Sequence, residues 1–173
     1  RNSHYSLMDD SDQKWNGQRI RNYTIKEILG RGKMGVTMRA TDEHGKDFVL
    51  KAFETGFMAG NPRQLFEKEI HSLQNLEPNH GVLLPLDHFF LRGTFYIVFE
   101  YQPGGNLRKF FNENRRQMDV HKILDVFTQI ANAIDYTHSK KIIHRDLKPE
   151  NVVYRMENGR IITYLTDFGI AEI

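Results

Sequence analysis

The sequence predicts an α+β protein in which an antiparallel sheet with one helix precedes a mainly helical part. Before residue 101, short apolar segments, of which Tyr23–Gly30 alternates, are separated by turn-forming residues, which is the pattern of strands. After a break at Pro103-Gly104-Gly105, apolar residues recur every three to four residues, as in amphipathic helices. With 173 residues, 39% of them hydrophobic, the chain is long and apolar enough to bury a core.

The first part of the chain opens with a polar stretch, residues 1–20, whose few large apolar residues have no period. A helix is predicted over residues 62–76, because apolar side chains recur there at helical spacing. Strands are predicted at Tyr23–Gly30, Val36–Thr41, Asp47–Phe53, Leu83–Leu91 and Thr94–Glu100.

The second part is predicted to begin with a short helix that Asn106 caps and that runs through Phe111. A long amphipathic helix is predicted over residues 120–139. Val152–Arg155 and Ile161–Leu165 flank a turn and form a predicted hairpin.

Composition excludes several classes of function. The net charge of +2 gives no support for a nucleic-acid partner. The longest apolar run, at 95–99, is five residues, far short of the roughly 20 that span a bilayer. The chain has no cysteine, which excludes disulfides and thiolate chemistry and fits a reducing, cytoplasmic location. Because the chain starts at Arg1 rather than Met, we expect a processed or excised piece of a longer protein.

The first chemical motif is Gly30-Arg31-Gly32-Lys33-Met34-Gly35. It joins two predicted strands, whereas the glycines of a dinucleotide-binding fold open a helix. Since glycine has no Cβ, such a turn lets the backbone approach phosphates closely. Taken alone, the motif fits a flexible hairpin equally well.

Lys51 on the third predicted strand is a second candidate, because a lysine supplies a point charge for phosphate oxygens. Taken alone, a solvated surface lysine is the alternative. On the predicted helix, Glu69 shares a face with Leu65 and Leu73, while Lys68 points outward. Glu69 is therefore the expected carboxylate partner of Lys51.

Two further motifs follow in the second part. In His144-Arg145-Asp146-Leu147-Lys148-Pro149-Glu150-Asn151, the aspartate can accept a hydroxyl proton and the lysine can neutralise a transferring phosphoryl group. Asp167-Phe168-Gly169 follows a predicted strand and offers a hard oxygen ligand for Mg²⁺.

The four motifs, in this order, resemble the eukaryotic-type serine/threonine protein kinase family over residues 23–173. The resemblance implies a two-lobe kinase fold, with a polar extension at 1–20, an N-lobe of five antiparallel strands and one helix at 21–101, and a partial C-lobe at 102–173. Only four residues follow Gly169, so we expect a catalytic domain truncated just after that motif, without an activation segment. A dimer, a partner or the missing C-lobe segment is then expected to cover the apolar face of the helix at 120–139.

The resemblance also implies roles for individual residues. Asp146 is the expected catalytic base, assisted by Lys148, Asn151 and the Lys51–Glu69 pair. Asn151 and Asp167 are the expected Mg²⁺ ligands, and Leu73, His144 and Phe168 are expected to stack on one another. The residues expected to bind ATP are Leu29, Gly30, Arg31, Gly32, Lys33, Met34, Gly35, Val36, Thr37, Val49, Lys51, Phe99, Glu100, Gln102 and Val153.

The implied function is transfer of the ATP γ-phosphoryl group to a serine or threonine hydroxyl of a protein. Lys148 and its neighbours in Leu147-Lys148-Pro149-Glu150 are typical of the serine/threonine branch. One alternative is a catalytically incompetent nucleotide-binding scaffold or regulatory fragment, which the truncation favours. Thr37 and Val49, where the family usually has valine and alanine, favour it more weakly. A small-molecule kinase on a related fold is a further alternative. The residue types at Leu147–Asn151 argue against it.

Overall fold

A computed structural model of the chain describes residues 15–32, 35–54 and 62–168, apart from the side chains of residues 54, 62, 65 and 69. The described residues form two units. The first combines the residues up to 54 with Asp87–Tyr101, and the second combines residues 62–86 with 102–168. No helix within these described ranges is long and apolar enough to cross a membrane. The division of the chain at residues 20 and 101 stays a prediction.

The first unit is an antiparallel sheet with the strand order β1-β2-β3-β4-β6-β5. Alternation of apolar side chains along the strands places Met38, Leu50 and Val98 on one face, where all are fully buried. The strands are β1 (Arg19–Ile20), β2 (Tyr23–Arg31), β3 (Gly35–Thr41), β4 (Asp47–Glu54), β5 (Asp87–Leu91) and β6 (Thr94–Glu100).

Two features of this sheet differ from the sequence prediction. Within the described part of this unit the sheet has six strands instead of five, because Arg19–Ile20 pairs with β2 and buries Ile20 in the core. The predicted strand Leu83–Leu91 was wrong in its first half, and β5 begins only at Asp87. Pro85 has no N–H to donate to a ladder, and the N–H of Leu83 donates to the carbonyl of Leu165 in the second unit instead.

Among its described residues, the second unit contains three α-helices and a small antiparallel sheet with the order β7-β8-β9. Asn106 caps α2 as predicted, since its side chain accepts a hydrogen bond from the N–H of Lys109. α3 has its predicted bounds, whereas α1 ends two residues early and α2 continues to Asn114. The elements are α1 (Pro62–Gln74), α2 (Leu107–Asn114), α3 (Val120–Ser139), β7 (Gly105–Asn106), β8 (Val152–Glu157) and β9 (Arg160–Leu165).

α3 packs one face against β9 and exposes another. Gln129 joins the two elements, because its side-chain amide donates to the carbonyl of Ile161 at 2.8 Å and its oxygen accepts from the N–H of Thr163 at 2.9 Å. Val126, Ala133 and Thr137 are buried. The exposed face carries the apolar residues Val120, Leu124 and Phe127, which are 66%, 58% and 57% exposed.

Candidate active site

The glycine-rich motif connects β2 to β3. Gly30 pairs with Thr37 across the two strands, and the N–H of Gly32 donates to the carbonyl of Gly35 at 2.9 Å. No heavy atom lies within 4 Å of a Cβ built on Gly30 or Gly32 in the part of the chain that the structure describes. The backbone there is open to a ligand, which fits the expected phosphate contact. Lys33 and Met34 lie outside the described residues.

Gly35 has a packing role that the sequence did not predict. A Cβ at this position would collide with the carbonyl oxygen of Ala52 on β4 and would lie 2.9 Å from its carbonyl carbon. The close approach of β3 and β4 therefore requires glycine here, independently of any ligand.

The sheet brings four of the predicted ATP-binding residues onto one face. Thr37, Lys51 and Ile97 are cross-strand partners in one row, and Val49 pairs with Phe99 in a neighbouring row. Because side chains that lie directly opposite each other point to the same side of a sheet, Thr37, Val49, Lys51 and Phe99 share the face opposite the Met38–Leu50 core. The replacements at Thr37 and Val49 therefore alter the surface around the Lys51 side chain.

Lys51 is buried, with 7% of its surface exposed. Burial disfavours the charged ammonium and lowers the pKa of Lys51 to about 7. Its Nζ lies 5.2 Å from the centre of the Phe99 ring, which offers weak cation–π stabilisation. A phosphate beside this amine would favour its charged form. The expected partner Glu69 lies on α1 in the other unit, and its side chain is outside the described set.

The other predicted ATP-binding residues differ in exposure. Gln102 is 5% exposed, and its Oε1 is a buried acceptor without a hydrogen-bond partner among the described residues. Such an orphaned acceptor fits a donor on a ligand, for example an amine or a hydroxyl of a nucleoside. Val36 and Val153 are partly buried, while Leu29, Arg31 and Glu100 are exposed.

The loop at residues 144–151, which carries the expected base Asp146, is called the catalytic loop below, and its His144 is fixed through both ring nitrogens. His144 is 4% exposed. Its Nδ1 accepts a hydrogen bond from the N–H of Asp146 at 3.2 Å, so Nε2 carries the proton and donates to the carbonyl of Thr166 at 2.7 Å. The ring also contacts the ring of Phe168, with the two centres 4.5 Å apart and the two planes tilted by 43°. The expected stacking of Leu73 with these two side chains stays a prediction. His144 therefore ties the catalytic loop to the segment that follows β9.

Asp146 is held by two neighbours from its own loop. The Nδ2 of Asn151 donates to the backbone oxygen of Asp146 at 2.8 Å and to its Oδ2 at 3.1 Å. Lys148 places its Nζ 3.3 Å from the same Oδ2. The Asp146 side chain nevertheless stays 49% exposed. The carboxylate is thus oriented and remains accessible from solvent.

The two expected metal ligands have suitable oxygen atoms. Both described hydrogen bonds of the Asn151 side chain use Nδ2, which leaves Oδ1 as an acceptor. Asp167 is exposed and follows Thr166, whose N–H donates to the carbonyl of Asn151 at 3.0 Å. Within the described ranges, no three His, Cys, Asp or Glu side chains gather into a metal cluster. One amide and one carboxylate oxygen fit Mg²⁺, which takes few protein ligands and completes its shell with water and phosphate.

Two contacts at the loop were missed by sequence reasoning. The carbonyl of Thr166 accepts the hydrogen bond from His144, and any residue type offers a carbonyl, so the sequence carries no signal for it. The Nε of Arg108 donates to the Oε1 of Glu150 at 2.8 Å and lowers the pKa of Glu150. These two residues are 42 positions apart, and their pairing depends on how α2 packs.

Comparison with known proteins identifies the family. The family model described as a protein kinase domain matches residues 23–173. A stk11 homologue from Dictyostelium discoideum, a serine/threonine-protein kinase, is 32% identical over 160 residues, covering 88% of this chain and 26% of the relative. Mouse Aurora kinase C is 31% identical over 153 residues, covering 87% of this chain and 53% of the relative. The chain thus spans about a quarter to a half of the length of these two relatives.

Solved structures show the same fold. The crystal structure of Rad53 1–466 in complex with AMP-PNP aligns with a TM-score of 0.76 and 26% identity, over 87% of this chain and 39% of that chain. The kinase domain of PknI from Mycobacterium tuberculosis aligns with a TM-score of 0.70 and 26% identity, over 90% and 62%. The described residues accordingly have the α+β kinase fold. The chain belongs to the protein kinase family.

Proposed function

We propose that this chain transfers the γ-phosphoryl group of ATP to a serine or threonine hydroxyl of a protein substrate. The observation that carries the proposal is the state of Asp146. Its carboxylate is oriented by Asn151 and Lys148 and is still half exposed. A general base needs this combination of fixed geometry and access to the proton it accepts.

In the proposed reaction, the acceptor oxygen forms a bond to the γ-phosphorus while the bond from that phosphorus to the β-phosphate oxygen breaks. The hydroxyl proton passes to the carboxylate of Asp146, and ADP leaves. The ammonium of Lys148, held 3.3 Å from Oδ2 of Asp146, offsets negative charge on the transferring group. Positioning and electrostatics supply most of the catalysis in this class of reaction.

The phosphates of ATP would be held by open backbone and an amine, and the accompanying Mg²⁺ by side-chain oxygens. The open backbone at Gly30 and Gly32 suits phosphate oxygens, and the amine of Lys51 would take up a proton beside them. Asn151 and Asp167 would hold Mg²⁺ through their side-chain oxygens. When bound, magnesium neutralises charge that develops on the phosphates.

The serine/threonine preference is proposed from Leu147-Lys148-Pro149-Glu150 and from the relatives, which are named as serine/threonine kinases. To test it, the chain is incubated with labelled Mg-ATP and a mixed protein substrate, and the phosphorylated amino acids are identified. We expect label on serine and threonine, and its loss in Lys51→Met but not in Lys68→Met, an exposed lysine on α1. Label on tyrosine alone would contradict the preference. Mg-ATP binding without any transfer would indicate a nucleotide-binding module instead.

A further inference from the structure

The catalytic loop carries a second exposed carboxylate besides that of Asp146. Glu150 lies in the short turn Pro149–Asn151, and its side chain is 42% exposed. It directly precedes Asn151, whose Nδ2 donates to the Asp146 carboxylate at 3.1 Å. Glu150 itself has no part in the phosphoryl transfer proposed above, so its role in the loop is open.

A protein substrate that places its hydroxyl at Asp146 passes close to Glu150. The two carboxylates are joined by a short path through the Asn151 side chain and one peptide unit. Bond lengths along this path limit the distance between the two carboxylates to about 16 Å, which is the span of about five residues of an extended segment. A charged side chain within about five residues of the acceptor hydroxyl can therefore sense the charge at Glu150.

Arg108 on α2 pairs with Glu150. Its Nε donates to Oε1 of Glu150 at 2.8 Å, and this hydrogen bond is the largest of the effects that lower the pKa of Glu150. The carboxylate is therefore charged at neutral pH. Because α2 packs against the turn that carries Glu150, the fold holds the two side chains opposite each other. Both side chains face solvent, since Arg108 is 53% exposed.

The other cations of the catalytic loop do not replace Arg108. Lys148 also contributes to the lowered pKa of Glu150, but its Nζ lies 3.3 Å from Oδ2 of Asp146 and so balances the charge of that carboxylate. Arg145 is exposed and is not among the groups that shift the pKa of Glu150. Arg108 is thus the cation that neutralises Glu150, and the pair presents no net charge to a passing substrate.

We propose that Arg108 is a specificity-determining residue, which neutralises Glu150 and so prevents the catalytic loop from favouring substrates with basic residues near the acceptor hydroxyl. With the pair intact, these two residues add no preference for either charge on the flanks of the acceptor. Without Arg108, the carboxylate attracts a basic side chain, and without Glu150, the guanidinium attracts an acidic one. The inference rests on the proposed function and refines the class of substrate that it accepts.

The test compares kcat/KM for two series of peptides, each with one serine in a background of alanine and glycine. In one series a single arginine is scanned over the five positions on either side of the serine, and in the other series a glutamate takes its place. The protein variants are Arg108→Gln, Glu150→Gln and the double variant that combines them. Lys109→Gln is the matched control, because Lys109 is the next residue of α2, is also exposed and lies 4.0 Å from Glu113 instead.

The readout is the ratio of kcat/KM for the arginine peptide to that for the glutamate peptide, at low ionic strength and relative to wild type. At the most sensitive position we expect this ratio to rise at least ~3-fold in Arg108→Gln and to fall at least ~3-fold in Glu150→Gln. It should stay within ~3-fold of wild type in the double variant and in Lys109→Gln. A general loss of structure would not shift the two single variants in opposite directions.

A ratio in Arg108→Gln that changes less than ~3-fold at every position would overturn the inference. Shifts of both single variants in the same direction would equally overturn it, because the pair would then not act through charge. Either result, obtained with active protein, leaves the proposed function standing. Absence of transfer from wild type to every peptide and to the mixed protein substrate would contradict the proposed function, and this inference with it.

Discussion

Asn151 donates hydrogen bonds from its Nδ2 both to the backbone oxygen of Asp146, at 2.8 Å, and to the Asp146 carboxylate, at 3.1 Å. The contact joins the proposed base to a proposed metal ligand within one loop. Asn151 is itself buried and lies in a short 3₁₀ turn, Pro149–Asn151, whose first residue is pre-set for helical geometry. The loop therefore orients the carboxylate before substrate binds.

Replacing Asn151 should impair both functions at once. In Asn151→Ala, Asp146 loses its orientation and Mg²⁺ loses an oxygen ligand, so we expect transfer to slow ~10–1,000-fold and to need more Mg²⁺ for half-maximal rate. The measurement is a Mg²⁺ titration of the transfer rate at fixed ATP. Asn112→Ala, an exposed asparagine on α2, is the control and should behave as wild type. An unaltered Mg²⁺ dependence in Asn151→Ala would refute the metal assignment.

Two glycine substitutions should separate ligand binding from packing. Gly35→Ala forces a methyl group against the Ala52 carbonyl, and we expect it to lower the free energy of unfolding by about 1–3 kcal/mol. Gly32→Ala has open space around its Cβ, so it should leave the melting temperature nearly unchanged while weakening Mg-ATP binding. Thermal melts and ATP titrations check both variants. Equal melting temperatures for the two variants would show that the β3–β4 approach is not as tight as described.

Lys51 should make stability depend on pH. Its pKa of about 7 in the folded chain lies below the roughly 10.4 of an exposed lysine. Between these values the unfolded chain binds a proton that the folded chain has released, so the free energy of unfolding rises with pH. Below pH 7 both states hold the proton, and the contribution of Lys51 no longer changes with pH.

The check is urea denaturation of wild type and Lys51→Met at pH 6, 7.5 and 9. The free energy of unfolding of wild type, relative to Lys51→Met, should rise between pH 7.5 and 9 by up to about 1.4 kcal/mol per pH unit. In Lys68→Met, at an exposed position, the free energy of unfolding should depend on pH in the same way as in wild type. If the free energy of unfolding has the same pH dependence in wild type and in Lys51→Met, Lys51 is not desolvated in the folded chain.

The exposed apolar face of α3 should drive self-association of the 173-residue chain. Leu124 and Phe127 are 58% and 57% exposed, so replacing both by lysine removes apolar surface from water at little cost to folding. We expect sedimentation velocity to show a smaller associated fraction in Leu124→Lys/Phe127→Lys. Thr128→Lys/Asn132→Lys, on exposed positions of the same helix, adds the same charge without removing apolar groups. Equal dissociation in both double variants would assign the effect to charge alone.

Elements with a long, regular pattern were predictable from the sequence. The helical period of α3 and the continuous apolar run at 95–99 after the Arg92-Gly93 turn gave α3 and β6 with their observed bounds. The pairing of Leu83 with Leu165 was not predictable, because it joins residues far apart in the chain and depends on tertiary packing. β1 escaped prediction because two residues are too short to show a period.

Parts of the candidate site were likewise predictable from the sequence, and other parts were not. The motif around Asp146 predicted which side chains the structure brings together. This was possible because the chemistry depends on residue type, and residue type is read directly from the sequence. The shared face of Thr37 and Lys51 follows from the two-residue period of strands once their register is known. The clamp from His144 to the Thr166 carbonyl could not be predicted, since a backbone oxygen leaves no trace in the sequence.

The central claim is that Asp146 is the general base of phosphoryl transfer. The most direct test measures the transfer rate at saturating Mg-ATP, together with the Kd for Mg-ATP, in wild type and Asp146→Asn. Asp135→Asn, an exposed aspartate on α3, is the matched control. We predict that Asp146→Asn transfers at least ~100-fold more slowly with less than ~3-fold change in Kd, while Asp135→Asn matches wild type. Transfer by Asp146→Asn at the wild-type rate would contradict the claim, as would a wild-type chain that binds Mg-ATP and transfers nothing.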